Sequence, residues 1–233
     1  RVYVLNLDRR PDRLRRVTEQ AARLGIELTR RPAVDGTLPP HRADFARYAR
    51  GPLTTVPPAW RIHSSYELRR AYPAHASRVA YLEQSRGRRA IGSAGAWGYL
   101  LTMVELLTYT MREGTERILV LDDDVLFHRE FTRRFAEAVT QLPDDWLVLQ
   151  LGALQYHWDE PWISWYARNL YCCNGSSLGS HAVGLHREII PLILNECLRF
   201  DLPYDEGPLH VAKARYPKQA LTVFPNLIIQ DTR

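Results

Sequence analysis

The run ILVLDDDVLF, Ile118 to Phe127, decides how the rest of the chain is read. Ile118 to Leu121 has the length and composition of a strand buried on both faces. Asp122, Asp123 and Asp124 follow at once. Three adjacent carboxylates at the end of a buried strand repel one another and resist desolvation, so a compensating cation is expected. Hard carboxylate oxygens suit magnesium or manganese, ions that bridge one or two acidic residues to substrate phosphates. The plainer alternative is an acidic turn that caps the helix read from Glu130 to Leu142. One aspartate would favour that reading, and three favour the ion.

Working outward, the chain alternates strands with helices. Val2 to Leu7 is an apolar run followed by Asp8 at a helix-capping position. Leu14, Val17, Ala21 and Leu24 then recur at helical spacing, and Gly25 stands where a left-handed C-terminal cap is wanted. Ile26 to Val34 reads as a second strand, closed by the turn pair Asp35-Gly36. The stretch from Leu38 carries five prolines and little periodicity, so a long loop excursion to about residue 90 is expected, with a helix interrupted by Pro73 in its tail, Tyr66 to Arg86. Ala94 to Met111 shows a wide apolar helical stripe and exits at Gly114.

After the acidic run come a helix, a strand at Trp146 to Leu151, an aromatic-rich loop to Tyr171, a strand at His181 to Leu185 and a helix at Arg187 to Phe200. Strand-like sequence returns at Leu221 to Phe224 and Leu227 to Gln230. This alternation predicts a single α/β domain spanning residues 1–233, with a mostly parallel sheet flanked by helices. Ligands in such sheets bind outside the carboxyl ends of the strands, which is where the acidic run falls.

Composition narrows the setting. The chain has 233 residues, 45% of them hydrophobic, enough for one substantial core. No apolar run reaches the length of a membrane span, and no signal peptide is visible. Cys172, Cys173 and Cys197 are odd in number and unevenly spaced, which is neither a disulfide framework nor a metal motif. A reducing, cytoplasmic setting is the expectation. All but two of the 31 basic residues are arginine, and the net charge is +5. An ordinary solvated surface accounts for that charge, and peripheral membrane association or an anionic ligand is the functional alternative. The arginines are scattered rather than gathered on one helix, which argues against nucleic acid.

Six segments carry a resemblance. They are VYVLNLDRRPDR from Val2, AVDG at Ala33 to Gly36, ILVLDDDVLF, DDWLVLQLGA from Asp144, GSHAVGLHREIIPLIL from Gly179 and LPYDEGPLH from Leu202. In this order they resemble glycosyltransferase family 25, whose bacterial members build lipopolysaccharide and whose animal relatives galactosylate collagen. The resemblance implies a GT-A-like (Rossmann-like) fold, a nucleotide-sugar donor, usually a UDP-hexose, and inverting transfer to a hydroxyl of a glycan, lipid-linked sugar or peptide.

Residue by residue, the resemblance implies that Asn6, Leu7 and Asp8 hold base and ribose, that Arg9 or Arg13 approaches the diphosphate, Arg13 reading equally as a surface helix residue, and that Asp35 contacts the nucleoside. Asp122 and Asp124 have the Asp-x-Asp spacing of a Mn2+ or Mg2+ site, with Asp123 as a further donor contact. Asp205 and Glu206 are the base candidates that take the acceptor hydroxyl's proton, the alternative being an acidic helix start before Gly207-Pro208. His181 meets the diphosphate or the metal, or serves as a structural histidine. Tyr156, Trp158, Trp162, Trp165 and Tyr166 crowd a loop where they stack on sugar rings, or Trp158, Trp162 and Trp165, which also fit one helical face, pack into the core. The family often carries a Ser-His pair before its core helix, where this chain has Ala96-Trp97. Two rival readings remain. A haloacid-dehalogenase-like phosphotransferase would use Asp122 as nucleophile, though it needs a later lysine and only Lys213 and Lys218 are available. A non-catalytic sugar-nucleotide or glycan-binding protein would bind the donor without consuming it.

Overall fold

A computed structural model describes residues 1–50, 89–155, 158, 163–173 and 177–231. The first strand, β1 (Val2–Asn6), is buried from Tyr3 onward. Pro11 opens helix α1 (Pro11–Arg23), where its missing N–H costs nothing. Val17 and Ala21 are the buried positions of α1, and Gly25 ends the turn at φ +70, as the periodicity predicts. Strand β2 (Thr29–Pro32) then pairs in parallel with β1.

Part of the expected loop from Leu38 is instead a helix, α2 (His41–Ala49). Its prolines cluster before the first turn and after the last, which leaves HRADFARYA free of helix breakers. Phe45 and Tyr48 of this helix pack on Trp97, with ring centroids 6.1 and 5.0 Å away. The helix read from Tyr66 to Arg86 lies outside the described residues.

The core helix α3 (Ala94–Glu113) starts at Ser93, whose hydroxyl accepts from the Ala96 amide, and ends at Gly114 with φ +65. It leads into β3 (Arg117–Asp122). A short strand that the sequence does not announce, β4 (Val125–Phe127), comes before helix α4 (Phe131–Val139). Then follow β5 (Val148–Gln150), β6 (Ser164–Ala167), β7 (Leu170–Cys172), β8 (Ala182–His186), α5 (Ile190–Cys197), α6 (Pro208–Arg215), β9 (Ala220–Val223) and β10 (Ile228–Gln230).

The α/β class is as expected: among the described residues one sheet has eight strands in the order β2-β1-β3-β8-β5-β9-β7-β6, and β10-β4 form a separate pair. The parallel majority is corrected. Pairings β1 with β2, β1 with β3 and β5 with β9 are parallel, whereas β8 runs antiparallel between β3 and β5, and β7 is antiparallel to both β9 and β6. The parallel pairs are joined through helices. Strands β6, β7 and β8 follow one another with no assigned helix in their connections among the described residues, so the chain doubles back and antiparallel pairing results.

The described end of the aromatic stretch, β6 and β7, is likewise a hairpin rather than a loop, with Asn169 at φ +65 in its turn. Trp165 is 69% exposed on edge strand β6 and Tyr166 is exposed beside it, so the shared helical face does not form. Trp158 packs on Phe224 and Tyr171, while Tyr156 and Trp162 lie outside the described residues.

Two apolar layers sandwich the sheet. Tyr3, Leu5, Ile118 and Val120 face α3 and α5, while Val4, Leu121, Leu149 and Leu151 join Val17 and Phe131 on the other side. Strand β3 buries both faces, which is why its four apolar residues are continuous. No helix among the described residues is long and apolar enough to cross a membrane. All three cysteines are buried thiols outside any disulfide.

The turn after β2 docks on α3 through two glycines. A Cβ on Gly36 would lie 1.8 Å from the Ala94 carbonyl oxygen, and one on Gly98 would lie 2.4 Å from that of Val34. Both obstacles are backbone, so neither yields by a rotamer change. Gly98→Ala is expected to lower stability by about 1–3 kcal/mol, read as a lower denaturation midpoint in urea. An unchanged midpoint would show that turn and helix are not in close contact.

Candidate active site

The site forms where β1 and β3 reach their carboxyl ends side by side. Leu5 pairs with Asp122, so Asn6 lies alongside the acidic run. Strand β8 enters at the same edge, and the Asp122 amide donates to the His181 carbonyl at 3.0 Å. The N-terminal turn of α3 closes the near side. A cleft of about 290 Å³ results, whose lining includes Ala96, Tyr99, Asp122, Ser180, Tyr204 and Asp205.

The three aspartates are divided between two environments. Asp122 lines the cleft and accepts a hydrogen bond from the Tyr99 hydroxyl at 3.1 Å. Burial, and then the neighbouring charges of Asp124, Asp123 and Asp205, push its carboxyl up to about 7. Burial also drives the Tyr99 phenol well above its usual value, so it stays a neutral donor. No arginine or lysine among the described residues pairs with Asp122.

Asp123 and Asp124 line a smaller pocket on the α1 side. Asp123 accepts from Asn6 Nδ2 at 2.7 Å, and Arg13 reaches Asp123 and Asp124 at 3.3 and 3.0 Å. Gln230 of β10 lies 3.3 Å from Asp124, whose carbonyl accepts from the Asp231 amide. Strand β4 and its partner β10 therefore hold the end of the acidic run in place, so it is more than a strand-to-helix cap.

This arrangement fits a hard divalent ion at Asp122. A partly buried carboxylate whose proton is retained to near neutrality, beside three others, lacks a counter-charge. Among the described residues, no three His, Cys, Asp or Glu side chains converge to hold a metal. The protein therefore offers one carboxylate facing the cleft and a second, Asp124, already engaged by Arg13. That donor count matches ions completed by substrate phosphates and water.

Across the cleft, Asp205 accepts from the Gly179 amide at 3.1 Å. Glu206 is partly buried and lies outside the cleft lining. His181 is buried, its Nε2 lies 3.3 Å from the Ile228 carbonyl, and burial lowers its pKa, which keeps the ring neutral. It is likewise outside the cleft lining. A Cβ on Gly152 would come 2.3 Å from His181 Nε2, so the glycine of the Leu-Gly strand exit makes room for this ring.

The remaining sequence candidates form the floor and rim. Asn6 is 1% exposed and spends its side chain internally: Nδ2 also donates to the Arg10 carbonyl at 2.8 Å, and Oδ1 accepts from Arg30 at 3.0 Å. The Leu7 carbonyl accepts from the Arg10 amide at 2.8 Å. Asp8 is exposed and paired with Arg30. Asp35 takes hydrogen bonds from Thr37 and from Arg9 at 2.6 Å each, which lower its pKa to about 2. Arg9 and Arg13 are thus both engaged by carboxylates.

Sequence reading misses Tyr99, Ser180 and Tyr204. Tyr99 falls within the apolar stripe of α3 and reads as core, yet it stands one helical turn after Ala96 on the side facing the cleft. Of the departing pair, only Ala96 reaches the cleft. Trp97 turns into the core against Tyr48 and Phe200.

No curated protein matches the chain. Among solved structures it is similar to a glycosyltransferase involved in the glycosylation of the major capsid of PBCV-1. The identity is 13% and the TM-score 0.32, with 83% of this chain and 64% of that chain covered. This chain therefore spans less than two thirds of the length of that structure. A family model described as glycosyltransferase family 25 (LPS biosynthesis protein) matches residues 1–192, which takes in β1, the acidic run and β8 but stops short of Asp205. The chain belongs to glycosyltransferase family 25.

Proposed function

We propose that the protein moves a hexosyl group from a nucleotide-diphosphate sugar, a UDP-hexose, to an acceptor hydroxyl on a glycan, lipid-linked sugar or peptide, with inversion and with Mn2+ or Mg2+ bound. The observation that supports this most is the sharing of one cleft by Asp122 and Asp205. One carboxylate lacks a cationic partner and the other is oriented by a backbone amide.

The two carboxylates suit different tasks. Asp122, with Asp124 beside it, would hold the ion, which supplies positive charge against the departing diphosphate. Asp205 takes the acceptor hydroxyl's proton as that oxygen attacks the sugar from the opposite face. Tyr99 holds Asp122 in orientation by a neutral hydrogen bond. Asn6 and Arg13 hold the other two aspartates on the α1 side and partly offset their charge. At about 290 Å³ the cleft is at the small end of ligand pockets, which suits the reacting end of a donor rather than a whole nucleotide sugar.

The test incubates the protein with a panel of nucleotide sugars and manganese while following donor hydrolysis and melting temperature. One UDP-hexose is expected to be hydrolysed slowly and to raise the melting temperature. Stabilisation without any hydrolysis or transfer would favour the non-catalytic binding protein, and no response to any member of the panel would sink both readings.

A further inference from the structure

Lys213, in the last turn of α6, is only 3% exposed and makes no ion pair among the described residues. Its Nζ donates to Gln150 Oε1 at 3.1 Å and to the Ser177 carbonyl, and lies 3.3 Å from the Ser177 hydroxyl. Burial pushes the ammonium down to about 8. Burying a cation with no carboxylate in contact is costly even with the Asp205 charge nearby, and a methionine would fill the same space. A costly group kept where an apolar one would pack better points to a purpose beyond packing.

The contacts of Gln150 indicate that purpose. At the end of β5 it is fully buried and turns its amide two ways. Oε1 accepts from Lys213, from the Ser177 hydroxyl at 2.6 Å and from Thr222 at 3.2 Å. Nε2 donates to the Gly179 carbonyl at 2.9 Å. Gly179 holds φ +87, a conformation that suits glycine, and its amide is the group that grips Asp205. Lys213 also sits on the helix that begins just after Asp205-Glu206-Gly207. A single polar network thus ties β5, β9, α6 and residues 177–179 to the carboxylate across the cleft from Asp122.

We infer that Lys213 is a positioning residue for the transfer: acting through Gln150, it fixes the Gly179 amide and so aims the Asp205 carboxylate into the cleft. The inference rests on the reading of Asp205 as the base. The lysine touches neither donor nor acceptor, and it acts by holding the orientation of a group that does. Small misplacements at a reacting centre reduce turnover more than they reduce binding.

The test uses two variants of the full chain. Lys213→Met removes the ammonium at similar volume. Gln150→Glu keeps an acceptor for Lys213 and removes the donor to the Gly179 carbonyl. For both, hydrogen exchange of the 177–181 segment is expected to quicken about tenfold or more while β3 keeps its protection. The kcat for transfer from the UDP-hexose should fall about 10- to 100-fold with the donor KM within about twofold.

Unchanged exchange at 177–181 overturns the inference, and so does loosening of β3 to the same degree, which marks a general loss of stability. A raised donor KM at constant kcat also overturns it. If Lys213→Met does not fold, Gln150→Glu decides alone. Exchange needs no turnover, so a wild-type protein inert toward every nucleotide sugar would sink the proposed function and leave the loop measurement to judge Lys213 as a support of that loop.

Discussion

Asp122→Asn is expected to abolish transfer and, at pH 8, to melt at a higher temperature than the wild type. The two effects share one cause. In the folded protein the Asp122 carboxyl is held up to about 7, against 3.8 for an unperturbed aspartate. Between those values the folded state keeps a proton that the unfolded chain has lost, so stability falls as pH rises from about 4 to 7 and then levels off. The gap between 3.8 and about 7 corresponds to a cost on the order of 4 kcal/mol above pH 7. The asparagine carries no charge and can still accept from Tyr99, so it avoids that cost.

A gain of at least about 5 °C at pH 8, narrowing as the pH falls toward 5, is the expected signature in a thermal melt. Manganese should raise the wild-type midpoint at pH 8 and leave the variant unmoved. A variant that melts no higher than the wild type at either pH would mean that Asp122 is already compensated, and the argument for an ion there would fail. Activity and stability oppose each other at this residue because the charge that repels its neighbours is the charge needed for the ion.

Asp205→Asn is expected to lower kcat for transfer by about 10² to 10⁴, the range that a general base supplies. Its carbonyl oxygen still accepts from the Gly179 amide, so the loop should stay in place and the fold should be retained. Donor affinity, followed as the manganese-dependent melting shift with the UDP-hexose, should change by less than about twofold. What is lost is the capacity to take a proton. Near wild-type transfer by this variant would move the base elsewhere, with Glu206 the next candidate. The pairing of the two substitutions is informative, since Asp122→Asn is expected to weaken the ion-dependent step and Asp205→Asn only the attack.

Much of the fold is legible because its signals are local. The continuous apolar runs of β1 and β3 report burial on both faces, and Gly25 and Gly114 mark helix ends through backbone angles that L side chains rarely adopt. The residues that hold the acidic run are visible in part. Asn6 and Arg13 stand out near the start, but their partners are more than a hundred residues away and nothing local names them. Strand β4 goes unseen because three residues carry no periodicity, and only the distant β10 gives them a reason to be extended. The hairpin of β6 and β7 is hidden for a similar reason: spacing that fits a helix face fits an edge strand equally when most of its side chains face solvent.

The sequence by itself determined the α/β class and the carboxyl-edge location of the acidic run, because strand burial, glycine caps and charge crowding are properties of neighbouring residues. Only the tertiary structure decided which aspartate faces the cleft. Asp122, Asp123 and Asp124 are chemically identical, and they are told apart by Tyr99 from α3 on one side and by Asn6, Arg13 and Gln230 on the other. The same holds for Asp205, which meets the cleft through a glycine amide fixed by a buried lysine and glutamine. Side-chain direction and pairing are set by what packs against a residue from far along the chain, and no local pattern encodes that.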